Sequence, residues 1–167
     1  SLDDTGSRNV AVGMGTLQNL NYDGNGYNTA IGHSAGNAMT TGVRNAILGG
    51  LAGDALTTGG RNIAIGYSAL STEDAGSYNT AIGDRALISL NPSGSANMYN
   101  VGVGYRAGYS LTTGVENVFV GSDSGYSSTS AVYNVALGHK ALYTNVDGDG
   151  NVAVGYEALY TMEPSDG

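Results

Sequence analysis

Asn62-Ile63-Ala64-Ile65-Gly66-Tyr67-Ser68-Ala69-Leu70-Ser71-Thr72-Glu73-Asp74-Ala75-Gly76-Ser77-Tyr78 is one unit of a pattern that fills the chain. Asn, two residues that are mostly small or apolar, an aliphatic residue and Gly recur nine times in that order. The units begin at Asn9, Asn28, Asn45, Asn62, Asn79, Asn100, Asn117, Asn134 and Asn151. The interval is 17 residues in six of eight cases, and 19 and 21 in the others. The extra residues fall in Asn21-Tyr22-Asp23-Gly24-Asn25-Gly26 and in Asn91-Pro92-Ser93-Gly94-Ser95, both rich in turn formers. Growth at a surface loop leaves the repeated strand untouched.

The start of each unit alternates in size with period two, which is a strand signal. Three residues after each Asn stands Val, Ile or Leu: Val12, Ile31, Leu48, Ile65, Ile82, Val103, Val120, Leu137 and Val154. Two residues after Asn stands mostly Ala, with Ile47, Gly102 and Phe119 as exceptions. Gly follows in every unit: Gly13, Gly32, Gly49, Gly66, Gly83, Gly104, Gly121, Gly138 and Gly155. A fixed Gly predicts a bend at positive φ or a close backbone approach. A second short strand is expected around Ala69-Leu70, Ala86-Leu87, Ala141-Leu142 and Ala158-Leu159, closed by turns such as Thr57-Thr58-Gly59.

Seventeen residues are too few for a βαβ crossover of about 30. They suffice for one coil of a parallel β-solenoid, or β-roll. The expected fold is therefore all-β, one repeat domain over residues 1–167, with nine to ten stacked coils. At the strand spacing, nine coils make a rod roughly 45 Å long. The unit that starts at Asn151 closes in phase at Gly167, and residues before Asn9 read as the second half of an earlier unit. Neither end carries an obvious cap, which fits a cut from a longer fibre or an end-to-end stack.

The period leaves two inward faces open. With the Val/Ile/Leu face inside, a single chain has its own core. With the Ala face inside, the coil is thin and the aliphatic column lies outside. That stripe then demands partner chains about a common axis.

Composition narrows the function classes. The 167 residues hold 28 Gly, 14 acidic and 6 basic side chains, for a net charge of −8. So many Gly argue against a helical bundle. Two Pro and 41% hydrophobic residues argue against disorder. Six cations are too few to form a nucleic-acid patch. No apolar run reaches the length of a membrane span, and no signal peptide is visible. Without Cys there are no disulfides, Cys-zinc sites or thiol catalysis.

Asn28-Thr29-Ala30-Ile31-Gly32, Asn79-Thr80-Ala81-Ile82-Gly83 and Asn62 to Leu70 resemble the head repeats of YadA-like trimeric autotransporter adhesins. They resemble still more the repeats of phage tail fibres and related surface-fibre proteins. The resemblance implies a left-handed parallel β-roll, three chains wound together, and adhesion or host recognition at a cell surface or virion. The adhesin-head unit is nearer 14 residues, so the 17-residue unit departs from it. Coiled-coil stalks and membrane anchors of that family have no counterpart here.

The candidate sites are few. His33 and His139 follow the repeat Gly, where other units hold Met14, Gly50, Tyr67, Asp84, Tyr105, Ser122 and Tyr156. So variable a surface column does not carry catalysis, and no Ser/His/Asp or paired-carboxylate constellation stands out. The expectation is a protein that is not an enzyme and has no cofactor. Asp147-Gly148-Asp149-Gly150-Asn151 resembles the first half of a calcium loop. The bidentate Glu is missing, since Leu159 and Tyr160 stand in its place, and Asp-Gly turns form for backbone reasons alone.

Tyr109, Tyr126, Tyr143 and Tyr160 lie 17 apart and predict a ladder. Exposed Tyr offers an apolar face and a hydroxyl for a glycan or a protein receptor, and stacked Tyr also simply stiffens a sheet. Tyr27, Tyr78, Tyr99 and Tyr133 precede the repeat Asn, as do Arg8, Arg44 and Arg61, which are read as solvated. The Asn column predicts an amide ladder. The leading expectation is an extracellular fibre segment for adhesion or host recognition, assembled as a homotrimer. The alternative is a non-enzymatic subunit stacked head to tail into an extracellular filament. An ice-binding solenoid lacks its flat Thr array.

Overall fold

A computed structural model describes residues 8–161, apart from 93 and 95. The half unit before Arg8 and the close of the last unit lie outside these residues. Nine three-residue strands form one parallel sheet: β1 (Val10–Val12), β2 (Thr29–Ile31), β3 (Ala46–Leu48), β4 (Ile63–Ile65), β5 (Thr80–Ile82), β6 (Val101–Val103), β7 (Val118–Val120), β8 (Val135–Leu137) and β9 (Val152–Val154). Their spatial order is their chain order, so the chain winds as a β-solenoid. Each residue pairs with its equivalent in the next unit, for example Ile63 with Thr80 and Thr80 with Val101. The 19- and 21-residue units keep this register. The extra residues of the 19-residue unit fall outside the strands, as the sequence predicts, while the stretch Asn91 to Ser95 includes Ser93 and Ser95, which lie outside the described residues.

The expected second strand does not form. In its place the backbone turns through the left-handed region, at Ser68 (φ 52°) and Leu70 (φ 54°) and at their equivalents along the rod. Arg85, Leu87, Lys140, Leu142, Glu157 and Leu159 all share this conformation. An L-residue there costs energy and cannot extend a strand. A stacked coil above and below over-determines it: Leu70 N–H donates to Ala86 O at 3.0 Å and Gly53 N–H to Ala69 O at 2.9 Å. One strand and a chain of bonded turns thus make each coil.

The repeat Gly meets both reasons for its presence. Gly66 has φ 131°, and a Cβ there would stand 2.4 Å from Gly83 O. Backbone therefore packs on backbone at this corner, and any side chain would push the coils apart.

The buried face is the Ala face. Ala30, Ile47, Ala64, Ala81, Phe119, Ala136 and Ala153, the central strand residues, are buried, while their neighbours on either side point outward. Against them lie the Ala column Ala35, Ala52, Ala69, Ala86, Ala107 and Ala141 and the turn residues Leu70, Leu87 and Leu142. Where the strand centre is large, the turn is Gly. A Cβ on Gly125 would stand 2.6 Å from the Phe119 ring, and one on Gly36 3.1 Å from Ile47 Cδ1. The two positions trade volume, which keeps a thin core filled.

The Asn column forms the second wall of this core. Asn28, Asn45, Asn62, Asn79, Asn100, Asn117 and Asn134 are buried. Each backbone N–H donates to Oδ1 of the preceding Asn, at 2.9 Å for Asn45, Asn62 and Asn79 and 3.0 Å for Asn117 and Asn134. In six of these seven, all but Asn79, Nδ2 reaches a carbonyl 14 residues on: Asn28 to Gly42 (2.8 Å), Asn45 to Gly59 (3.0 Å), Asn62 to Gly76 (2.9 Å), Asn100 to Gly114 (2.8 Å), Asn117 to Ala131 (2.7 Å) and Asn134 to Gly148 (2.9 Å). One side chain thus joins two coils and clasps the far turn of its own. Asn62→Ala leaves the Asn79 N–H and the Gly76 carbonyl buried without these partners, and is expected to cost about 2–4 kcal/mol. Denaturant unfolding of the two proteins measures it.

Candidate functional site

Two surfaces stand out from the repeat. The first is the outer face of the sheet. Each strand contributes its first and third side chains, from Val10 and Val12 in β1 to Val152 and Val154 in β9. All are aliphatic except Thr29 and Thr80, and none is charged. They are exposed or half-buried, with Ile31 38% and Leu48 45% exposed in the rod and Val152 68% at its end. Parity imposes this exposure: with Ala inside, every second strand residue must face out.

The second surface is aromatic. Tyr109, Tyr126, Tyr143 and Tyr160 stack face to face, with ring centroids 5.1, 5.0 and 5.0 Å apart and planes within 9°. The ladder expected from the 17-residue spacing is present. Its geometry alters what it offers. The ring faces are spent on one another, so the apolar platform expected for a sugar is covered between rungs. Ring edges and hydroxyls are left to face outward.

Cations from a neighbouring turn column cover the ladder. The Arg106 guanidinium lies 4.6 Å from the Tyr105 ring and 5.0 Å from the Tyr126 ring. Lys140 Nζ lies 5.6 Å from the Tyr143 ring and 6.0 Å from the Tyr160 ring. Arg106 also bonds Asp123 through Nε at 2.8 Å, and this bond holds the guanidinium above its ordinary pKa. Asp123 and Glu157 alternate with the cations in that column, so the patch is charge-mixed. His139 stacks on Tyr156 at 5.6 Å. The equivalent ladder positions in earlier coils are Gln18, Asn37, Asp54, Ser71 and Ile88. The fold does not need Tyr there, and the ladder marks one part of the rod.

The column before the repeat Asn is left-handed throughout, from Arg8 (φ 67°) to Tyr133 (φ 60°). Its side chains pair along the rod: Arg61 lies 5.1 Å from the Tyr78 ring, and Tyr78 stacks on Tyr99 at 5.0 Å. Arg8 and Arg61 are thus each laid over a neighbouring ring, whereas Arg44 is exposed.

Asp147 and Asp149 sit in an exposed turn. Asp149 Oδ1 accepts the Val132 N–H at 2.8 Å, and Asn145 brackets the same turn through Gly148 N–H and O at 3.0 and 2.9 Å. Among the described residues no group of three or more His, Asp or Glu is gathered to hold a metal ion, and no helix is long and apolar enough to cross a membrane.

One notable residue escapes the reading of the sequence. Glu73 is fully buried. The signal was its column: eleven residues after the repeat Asn stand Leu20, Met39, Leu56, Leu90 and Leu111, then the polar Ser128 and Asn145, and Glu73 is the one acid among them. Comparison with protein-family models, with curated proteins and with solved structures gives no match.

The ladder makes a separable prediction. Tyr143→Ala removes two ring stacks and is expected to cost about 1–3 kcal/mol, whereas Tyr143→Phe keeps both and stays within about 0.5 kcal/mol of the parent. Thermal unfolding distinguishes them.

Proposed function

We propose that the chain is a structural and adhesive segment of a surface fibre, on a cell or a virion, and that copies associate as a homotrimer through the outer sheet face. One observation carries this reading: the stripe from β1 to β9, aliphatic but for Thr29 and Thr80 and without a charged residue. Monomeric proteins rarely expose contiguous apolar patches beyond a few hundred Å². A second copy is the partner that fits. It presents the same stripe at the same strand spacing and over the same length. Its net charge of −8 lies elsewhere on the surface, so the chargeless face is where identical chains repel least.

The arrangement is that of a scaffold. Every coil repeats the same backbone, and chemistry varies only at outward columns. The resemblance to adhesin-head and tail-fibre repeats supports the same reading. Recognition is assigned to the patch around Tyr109, Tyr126, Tyr143 and Tyr160, whose hydroxyls repeat at the coil spacing with Arg106 and Lys140 beside them. Such a row suits an extended glycan or receptor surface lying along the rod.

The test of assembly uses outward positions that leave the core alone. Ile65→Lys and Val120→Lys together are expected to convert a discrete trimer to a folded monomer in sedimentation equilibrium, with unchanged circular dichroism. A parent chain that sediments as a monomer contradicts the proposal. Long polymers of uniform width would instead support a head-to-tail filament.

A further inference from the structure

The coil of β4 alone places an acid in the column eleven residues after the repeat Asn, where Ser128 and Asn145 are the other polar residues. Glu73 stands in the column that holds Leu56 in the coil before and Leu90 in the coil after. Its Oε1 accepts the Gly76 N–H at 2.5 Å and the Ala75 N–H at 3.1 Å. Its Oε2 is buried and has no partner. Asp74 is the charge that acts on it, and it has the same sign.

A second defect lies beside it. Asn79 opens the next coil, and its Nδ2 is buried without a partner, whereas the Asn clasps on either side are made. Asn79 opens the 21-residue unit, and the residue 14 positions on, Ser93, lies outside the described residues. Two unmet polar groups therefore fall at one junction, on the turn side. The strand side stays intact, with β4, β5 and β6 in unbroken register.

In a stack, each coil touches only its neighbours, so a weak interface opens locally and does not spread. We propose that Glu73 makes the junction of the fourth and fifth coils a pH-sensitive joint, closed in mildly acidic solution and loosened on the turn side at neutral pH. The charged carboxylate is what the site tolerates poorly. Two N–H donors serve one oxygen, and the other oxygen meets the core.

The sign follows from linkage. Burial raises the Glu73 pKa above its ordinary value of 4.5, and Asp74 adds to the effect. The native state then holds the proton to higher pH than the unfolded state. Its contribution to stability is full below 4.5 and is lost as pH rises through the folded value. Asp54, whose pKa burial also raises, acts in the same direction but sits in the third coil. The joint is therefore identified by where opening occurs, as well as by its pH dependence.

Backbone hydrogen exchange followed by mass spectrometry on the full chain tests this. Rates are corrected for the intrinsic effect of pH and compared at pH 5 and pH 7.5. In the parent, peptides within residues 72–98 are expected to open about threefold or more readily at the higher pH, while those within 111–128 do not change. Glu73→Leu continues the aliphatic column and is expected to abolish the difference, with protection at both pH values at least equal to the parent at pH 5. Glu73→Gln, neutral and of similar shape, is expected to be equally insensitive to pH. Equal opening of the parent at both pH values overturns the proposal. So does a pH dependence in 72–98 that survives in Glu73→Leu and Glu73→Gln.

Discussion

The amide ladder is the interaction on which the rest depends. The buried repeat Asn spends its Oδ1 on the backbone of the next coil and, in every one but Asn79, its Nδ2 on the far turn of its own. The side chain is short and its two ends differ, so it fixes both coil spacing and coil circumference. A coil held this tightly leaves room for little else inside. The core is accordingly made of Ala, Leu and single large residues, Phe119 and Ile47, placed where the opposite turn is Gly. The Gly column completes the constraint, because backbone meets backbone at that corner.

The surface chemistry is a consequence of this narrow interior. Strand residues alternate, so an inward Ala column forces the aliphatic column out. A monomeric globule avoids that outcome, and the proposed association of copies covers the column. The turns then supply variation at no cost to the backbone. Left-handed positions accept Ser, Leu, Arg, Lys, Asp and Glu alike, since neighbouring coils hold the backbone on both sides. This lets a Tyr ladder occupy four coils and polar residues occupy the same place in others. One coil also carries a carboxyl between Leu56 and Leu90 of its column.

Much of the fold was legible in the residues. Asn and Gly at fixed spacing gave the coil, its period and the corner needing positive φ. The Tyr spacing gave the ladder. Three features were not legible, each for a physical reason. Parity in a three-residue strand fits either face inward, and only the space left by Leu70 or Gly125 across the coil decides it. The second strand failed because left-handed Leu and Ser carry no mark in a single unit and are stabilised by the stack. Ring orientation at Tyr126 depends on the rungs above and below, so a spacing of 17 reveals a column and not which part of the ring faces outward. Glu73 is hidden within its own unit and plain in the aligned column.

The ladder itself can be measured. The backbone N–H groups of Asn45, Asn62, Asn79, Asn100, Asn117 and Asn134 lie outside the strands, yet all donate to a buried side-chain oxygen. Residue-resolved hydrogen exchange by NMR should place these six among the slowest amides of the chain, level with the strand centres. Exchange at the rate of exposed turn amides such as Asp147 would contradict the account, because coils not joined through Asn have no reason to keep this register.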